Sequence, residues 1–415
     1  MTIWLVLLAG CVLFGSLLVG ALVLPRAAAP LAILGALAAL VTSVSAFGTI
    51  TQRYASPEAI ISALAVLLAG IGAGFAVAAT SLPHLARSAV PPSLPQAPHA
   101  SADGHGIVLV SCAEPDRYSP RAVATRQNLL AESAEIEVPS TALPFVFFAD
   151  KARYRAVGGR SPASSVARQL AVAVAECLEP DVSDVVLAWC HDPASITSSV
   201  FTLAAAGVTR ATIVVLGPSE SGPLDAACAV LDRALRENEG LEVAFAPCVW
   251  EDRRLPERLA ERILAATTAI DPSDIGVVLM DSGLPPVWEH RYSAAQRVEN
   301  YFDQRVRMLL GEAGIADQHV RVAWLEWQTP DVTEAVRHLA ALGCRRIVVA
   351  ASTIALPTLE TTLDLGHAIT LARVPQGVQV VTVTPWGDDK GFVDAICRTV
   401  QESLGSDGPG APVTP

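Results

Sequence analysis

The sequence predicts an α/β protein with two Rossmann-like lobes of parallel sheet, preceded by three transmembrane α-helices. The first observation is compositional: 52% of the 415 residues are hydrophobic and only 17% are charged, too apolar a balance for a wholly soluble protein. The second is positional, because three long apolar stretches without Asp, Glu, Lys or Arg all lie before residue 83. The third is an alternation of apolar runs with amphipathic segments in the remaining chain, which is typical of parallel sheets covered by helices.

Residues 1–82 form the predicted membrane anchor. Its spans lie at about residues 2–25, 27–50 and 59–82, and each holds roughly 20 largely apolar residues, enough to cross a bilayer as a helix. Gly70 and Gly74 make a small-xxx-small face in the third span, which favours close helix packing. The expected partners of the anchor are membrane lipid and, through such a face, a second copy of the chain or another membrane protein.

The charges beside the spans predict the orientation of this multi-pass integral membrane protein. Arg26 and Arg87 fall on one side of the membrane and Arg53 on the other, so the positive-inside tendency places the soluble part in the cytoplasm. The eight cysteines contain no CxxC motif, which indicates reduced thiols and no disulfide framework.

After the anchor, a Pro-, Ala- and Ser-rich segment at residues 83–105 predicts a linker. Residues 106–270 and 271–405 are expected to form one lobe each, and residues 406–415 a disordered tail. Four apolar runs in each lobe predict parallel strands, and this equality indicates an internal duplication. The runs are Ile107–Ser111, Val185–Trp189, Ala211–Leu216 and Val243–Ala246 in the first lobe, and Gly276–Met280, Val320–Trp324, Ile347–Ala351 and Val378–Val383 in the second.

The charge of the soluble part excludes one class of partner. From residue 88 onward the chain has 26 basic and 40 acidic residues, a net charge of −14. Nucleic-acid binding depends on neutralising phosphates with basic residues, so a nucleic-acid partner is not expected.

The stretch RIVVAASTIALPTLETTLDLGHAI, residues 346–369, carries the candidate chemistry. Its first half predicts a buried strand and its second half a helix, on which Glu360 and Asp364 are four residues apart and share a face. Ligands of open α/β sheets lie at the carboxyl ends of the strands. The two acids are therefore positioned to hold a cation or to move a proton, although the same spacing also fits a solvated helix face.

Several segments resemble the ferrochelatase family, within the class II chelatase superfamily. Residues 356–360, LPTLE, are similar to the family's S-D-H-[IL]-E run, and residues 154–162, YRAVGGRSP, to its Y-R-x-I-G-G-G-S-P. Residues 283–285 are similar to the end of its H-G-L-P segment. Further similar segments occur in the family's order at residues 107–132, 206–210 and 324–331. The soluble part is identified as a divergent, membrane-anchored member with the chelatase-like fold.

The resemblance implies roles for individual residues. Glu360 matches the family's active-site glutamate, and Ser282 stands where the family has its histidine, so these two are the candidate catalytic residues. Together with Glu360, Asp364 and His367 are the candidate metal ligands. The candidate tetrapyrrole-binding residues are Cys112, Tyr154, Gly158, Gly159, Leu284 and Pro285.

The serine at position 282 bears directly on activity. A serine hydroxyl is a poor base near neutral pH and a weak ligand for ferrous iron, whereas a neutral imidazole does both jobs. Asp281 is adjacent, but successive residues of a strand point to opposite sides, so it is expected to face away from the cleft. His191 and His367 are candidate replacements for the missing imidazole.

Three functions are compatible with these residues. The favoured one is a protein of haem or tetrapyrrole metabolism that binds a porphyrin, haem or its metal between the lobes, with weak or no iron insertion. The second is an active ferrochelatase, a lyase that inserts ferrous iron with Glu360 and a substitute base. The third is a structural or regulatory domain with a vestigial cleft. The ligands implied are ferrous iron and porphyrin or haem; an iron–sulfur cluster is not expected, because a carboxyl-terminal cysteine cluster is absent from the sequence.

Overall fold

The computed structural model describes residues 2–25, 28–54, 56–88, 104–182, 184–218, 221–236 and 241–405. These residues divide into two compact units. The anchor unit comprises Met1–Ala89 and Arg117–Arg160, and the sheet unit comprises Val90–Asp116 and Ser161–Pro415. Most of the predicted linker, Arg26 and the predicted tail at residues 406–415 lie outside the described residues.

Three helices of the anchor unit are long and apolar enough to cross a membrane. They correspond to the three predicted spans and differ from them by a few residues at their ends. They are α1 (Thr2–Val23), α2 (Ala29–Tyr54) and α3 (Pro57–Ser81), followed by a 3-10 helix at Leu82–Ser88.

Helices α1 and α3 are in backbone contact at glycines. A Cβ atom on Gly74 would lie 2.0 Å from the carbonyl oxygen of Val12, and one on Gly15 would lie 2.2 Å from that of Ile71. The close packing expected for the glycines of the third span therefore occurs within the chain, and larger residues would separate the two helices.

The anchor unit also contains α4 (Pro120–Ser133) and α5 (Leu143–Ala156), in a segment that the sequence analysis assigned to the first lobe. Lys151 Nζ on α5 donates hydrogen bonds to the carbonyl oxygens of Ala21 and Leu22 at 3.1 and 3.4 Å. Tyr118 donates its hydroxyl to the carbonyl of Val23 at 2.6 Å. The last carbonyls of a helix lack intrahelical donors, so these side chains complete the carboxyl end of α1.

The sheet unit contains two parallel sheets, as the sequence predicts. Their strand orders are β2-β1-β3-β4 and β6-β5-β7-β8, and every neighbouring pair is parallel. The shared order agrees with an internal duplication. The strands are β1 (Gly104–Ser111), β2 (Asp184–Trp189), β3 (Val208–Val215), β4 (Glu242–Phe245), β5 (Ile275–Asp281), β6 (Val320–Trp324), β7 (Arg346–Ala351) and β8 (Gln379–Val383).

Helices connect these strands and cover the sheets. The β-branched and apolar runs of β1, β5 and β7 are almost completely buried, because a parallel sheet is covered on both faces. The helices are α6 (Ala163–Leu178), α7 (Ser195–Ala205), α8 (Gly222–Leu235), α9 (Arg254–Ala265), α10 (Pro286–Arg291), α11 (Ser293–Glu312), α12 (Val332–Ala341), α13 (Leu365–Ala372) and α14 (Lys390–Gly405).

One hydrophobic core contains residues of both sheets, with an aromatic cluster of Trp250, Phe302, Trp386 and Phe392. The indole N–H of Trp250 donates to the carbonyl of Leu216 after β3 at 3.1 Å, and that of Trp386 donates to the carbonyl of Ser352 after β7 at 2.7 Å. The two rings are 5.8 Å apart. This pair therefore links the carboxyl ends of one strand from each sheet.

Two disulfide bonds occur among the described cysteines, and the prediction of no disulfide framework is wrong. Cys112 pairs with Cys190, with Cα atoms 4.7 Å apart, and Cys177 pairs with Cys397, with Cα atoms 6.6 Å apart. The first pair follows the last residues matched between β1 and β2, and the second joins α6 to α14. Local spacing could not reveal these pairs, because their members are 78 and 220 residues apart.

Candidate functional site

The candidate site lies at the carboxyl ends of β5 and β7, which are neighbours in the second sheet. The backbone N–H of Ser352 donates to the carbonyl of Met280 at 2.9 Å, so the two strands leave the sheet side by side. Ser282 follows β5 directly and is exposed. The predicted catalytic serine is therefore accessible at the edge of the sheet where ligands of such folds bind.

The loop after Ser282 has a fixed shape that requires glycine. Gly283 has φ +84°, and a Cβ atom on it would lie 2.1 Å from the carbonyl oxygen of Glu326. The N–H of Glu326 donates to the carbonyl of Ser282 at 3.0 Å, and the N–H of Leu284 donates to Gln328 Oε1 at 3.4 Å. These backbone contacts therefore fix the backbone position from which the side chain of Ser282 extends.

A π-helical turn carries the predicted acids. It spans Glu360–Asp364, and the N–H of Leu365 donates to the carbonyl of Glu360, five residues earlier. Glu360 and Asp364 are half-buried, whereas His367 lies exposed on α13. The sequence predicted an ordinary helix here; the wider turn is a feature frequently found at functional sites.

Glu114 is a site residue that was not predicted from the sequence. It lies in the loop after β1, and its Oε1 accepts hydrogen bonds from the N–H of Leu359, at 2.8 Å, and from the hydroxyl of Ser161. The carboxylate therefore joins the carboxyl end of the first sheet to the residue immediately before Glu360. The sequence signal that could have identified Glu114 is an acidic residue in a loop that directly follows a buried strand.

Three carboxyl groups form a cluster beneath this edge. Asp281 Oδ1 accepts from both the N–H and the hydroxyl of Thr353, at 3.0 and 2.8 Å, and Asp303 accepts from the hydroxyl of Ser352. Glu299 Oε1 lies 3.4 Å from the same Thr353 hydroxyl. Asp281 and Asp303 are 1% and 3% exposed, whereas Glu299 is half-buried. Asp281 therefore points into the protein, away from the exposed Ser282.

Burial governs the protonation of this cluster. Loss of hydration raises the pKa of Asp281, and it raises the pKa values of Glu299 and Asp303 further, with the charge of Asp281 as the next cause. Hydrogen bonds from Thr353 and Ser352 oppose the shift of each pKa only in part. The cluster is consequently a proton-sharing group, in which the carboxyls hold protons to a higher pH than solvated acids do.

Cys112 and His191 lie at the carboxyl edge of the first sheet. Cys112 is exposed, although its sulfur is bonded to that of the buried Cys190. His191 Nδ1 lies 2.8 Å from the carbonyl of Ala113 and donates to it, and burial lowers the pKa of this histidine. The ring is thus held as a neutral imidazole with Nε2 as its acceptor atom. Cys112 in the disulfide form has no thiolate to offer a metal.

The remaining tetrapyrrole candidates belong to the anchor unit. Tyr154 is buried, and its ring lies edge-on to that of Tyr118 at 6.2 Å. Gly158 and Gly159 have φ values of +82° and +91°, and the N–H of Gly159 donates to the carbonyl of Tyr154 at 2.7 Å. The predicted glycine turn is therefore present, and it ends α5.

Metal ligation by Glu360, Asp364 and His367 stays a prediction. Within the described ranges, the structure contains no group of three His, Cys, Asp or Glu side chains arranged to hold a metal ion. The two carboxylates on the π-helical turn are oxygen ligands of the kind that suits a hard or borderline cation.

Comparisons with known proteins agree with this architecture. Residues 105–404 match the sequence model of the ferrochelatase family. A ferrochelatase of Methylocella silvestris is 28% identical over 196 residues, which cover 44% of this chain and 55% of that protein. The chain therefore spans about half the length of that curated relative.

Two solved structures are also similar, at low sequence identity. SirB from Bacillus subtilis with Fe3+ has a TM-score of 0.44 and 10% identity, covering 73% of this chain and 96% of that one. The sirohydrochlorin chelatase SirB from Bacillus subtilis subspecies spizizenii, in complex with cobalt, has a TM-score of 0.42 and 11% identity, covering 72% and 95%.

The family match covers both parallel sheets, the loop at Ser282 and the π-helical turn at Glu360. It therefore includes each element from which the candidate site in the sheet unit is built. The chain belongs to the ferrochelatase family.

Proposed function

We propose that this protein is a membrane-anchored, tetrapyrrole-binding member of its family that inserts iron weakly or not at all. The observation that carries the proposal is Ser282 at the rigid carboxyl end of β5, beside an Asp281 that is directed inward. Metal insertion requires a base to take the pyrrole protons. A hydroxyl at this position is not such a base near neutral pH.

The neighbouring groups of the second lobe do not supply a substitute base. Asp281 and Asp303 are buried, with hydrogen bonds to Thr353 and Ser352. His367 is exposed on the helix beyond the π-helical turn. Glu360 remains half-buried at the carboxyl edge, so the proposed site keeps an acidic group that can contact a bound tetrapyrrole or its metal.

The site also keeps apolar surface, which distinguishes a binding function from a vestigial cleft. Leu284 and Trp189 are half-buried at the carboxyl edges of the two sheets, whereas Pro285, the next residue after Leu284, is buried. A flat apolar macrocycle binds best to surfaces of this kind, with a few placed polar groups for orientation. We infer that the first three helices hold this site at a membrane, with the sheet unit in the cytoplasm.

A paired experiment on the full-length protein in detergent tests the proposal. A fluorescence titration with a metal-free porphyrin measures binding, and anaerobic addition of ferrous iron measures insertion. We expect saturable binding that weakens in Glu360→Gln, with insertion at or near the uncatalysed rate. Absence of saturable binding would refute the proposed function.

The second candidate function is an active ferrochelatase. The protonation state of His191 is the observation that favours it. Burial lowers the pKa of this imidazole, so it is neutral and able to accept a proton near pH 7. Robust insertion in the same assay, lost in both Glu360→Gln and His191→Gln, would support this candidate over the first.

A further inference from the structure

The disulfide between Cys112 and Cys190 stands at the edge where the proposed ligand binds. Both residues come directly after the matched ends of β1 and β2, and the N–H of Cys190 donates to the carbonyl of Ser111 at 2.9 Å. This backbone contact belongs to the sheet rather than to the sulfur bridge. Breaking the S–S bond therefore leaves the two strands paired.

The surroundings of Cys112 favour its thiolate. Its Sγ lies 3.8 Å from the hydroxyl of Ser221, which is the N-cap residue of the 14-residue helix α8. Ser221 Oγ accepts from the N–H of Leu224, so its own proton is free to be donated to sulfur. The amino end of a helix stabilises negative charge, and cysteines there have lowered pKa values.

The second disulfide provides an internal contrast. Cys177 is also exposed, and its partner Cys397 is also buried. However, Cys177 is the penultimate residue of α6, at the negative end of a helix dipole, and its bond joins two helices that lack a shared sheet. The Cys177–Cys397 bond therefore has the features of a structural crosslink.

We propose that Cys112 and Cys190 form a reversible thiol–disulfide switch that controls a sulfur ligand at the tetrapyrrole site. A dithiol reductant supplies two electrons and two protons: the S–S bond breaks, each cysteine gains a hydrogen, and the dithiol closes to its own disulfide. The exposed Cys112, once reduced, loses its proton and presents a thiolate that can ligate haem iron. This last step rests on the proposed function, whereas the exchange itself does not.

The proposed cytoplasmic location fits a reversible bond at Cys112–Cys190. In cytoplasmic proteins disulfides are usually transient, catalytic or redox-sensing, because the glutathione and thioredoxin systems keep thiols reduced. In a cytoplasmic sheet unit, Cys112 would thus be kept reduced and could form a thiolate. Oxidation would convert it back to the disulfide with Cys190.

The exchange is tested by mass spectrometry of the full-length protein in detergent, after graded dithiol treatment and alkylation. We expect the Cys112–Cys190 bond to be reduced about tenfold faster than Cys177–Cys397, since opposite helix ends favour and disfavour the respective thiolates. Equal rates, or faster reduction of Cys177–Cys397, would overturn the switch.

The ligand step is tested by the absorption spectrum of added haem. Reduced wild type should show a thiolate-ligated haem spectrum and oxidised wild type should lack it; Cys112→Ser should lack it in both states. Cys190→Ser frees Cys112 permanently and should show it without reductant, while Cys177→Ser should behave as wild type. Haem binding with one spectrum in all variants would refute the ligand step and leave the proposed function standing; failure of all variants to bind haem or porphyrin would refute the proposed function itself.

Discussion

Thr353 donates its backbone N–H and its hydroxyl to the same carboxylate oxygen of Asp281, at 3.0 and 2.8 Å. Asp281 is the last residue of β5, and Thr353 lies two residues beyond the end of the neighbouring β7, so this contact closes the carboxyl edge of the second sheet from beneath. It also turns the Asp281 side chain away from Ser282. Ser282 stands where the family has its histidine. The acid beside it therefore faces inward and is not a base that a bound ligand could reach.

The buried carboxyl cluster predicts an unusual dependence of stability on pH. Because the folded pKa values of Asp281, Glu299 and Asp303 are raised, the folded state binds more protons than the unfolded state above about pH 4. The cluster's contribution to stability should be greatest in mild acid and should be lost as pH rises through the raised pKa values. Each unit by which a folded pKa differs from the unfolded pKa corresponds to about 1.4 kcal/mol in the free energy of unfolding.

Asp303→Asn isolates this effect. The amide cannot ionise, so thermal unfolding between pH 5 and pH 8 should show a smaller loss of stability than in wild type. Glu312→Gln, an exposed change on the same helix, is the control and should leave the pH profile unchanged. An Asp303→Asn profile with the same dependence on pH as the wild-type profile would contradict the raised pKa values.

Restoring the histidine should restore chemistry if the rest of the cleft is competent. Because a positioned general base contributes roughly 10²–10⁴-fold, Ser282→His is expected to raise the rate of ferrous iron insertion detectably. The added Glu360→Gln change should remove the gain. Ser273→His places an imidazole on an exposed serine before the opposite end of β5 and should give no gain; equal rates in the two histidine variants would count against a role for position 282.

The indole of Trp386 should matter for stability more than an exposed indole does. Trp386→Phe removes the donor to the Ser352 carbonyl and leaves a buried acceptor unpaired, which costs about 1–3 kcal/mol. Trp327→Phe, at a residue that is 45% exposed, should change stability by less than about 0.5 kcal/mol. Comparison of thermal unfolding in detergent measures both, and equal effects would show that the Trp386 contact is unimportant.

A reporter fused after Pro415 tests the predicted orientation. It should behave as cytoplasmic, because Arg26 and Arg87 together outnumber Arg53 in the flanks of the spans. The margin is a single charge, so Arg87→Glu is expected to weaken or reverse the orientation. An exported reporter on the wild-type chain would contradict the prediction and place both disulfides in an oxidising compartment.

The sequence was informative where structure is local. Apolar β-branched runs predicted the eight strands of the described residues to within a few positions, since burial of a parallel sheet demands such residues on both faces. The inward direction of Asp281 also followed from strand alternation. Glu299 and Asp303 are four residues apart on α11, so the sequence indicates that they share a helix face. Only the structure shows that this face contacts β5 and β7 and so forms the carboxyl cluster.

Long-range relationships were not accessible in this way. The Cys177–Cys397 bond depends on the packing of α14 against α6, across 220 residues. The hydrogen bond from Leu359 to Glu114 joins residues 245 positions apart, one from each lobe. The hydrogen bonds of a π-helical turn span five residues instead of the four of an α-helix, which the spacing of Glu360 and Asp364 does not reveal.

Hydrogen–deuterium exchange of the full-length protein, with and without a metal-free porphyrin, tests most directly whether the ligand binds at the carboxyl edge. We expect slower exchange on binding in residues 282–286 and 358–365, with residues 332–341 of α12 unchanged. Protection confined to α12 or to other regions, with residues 282–286 and 358–365 unaffected by saturating porphyrin, would contradict this expectation.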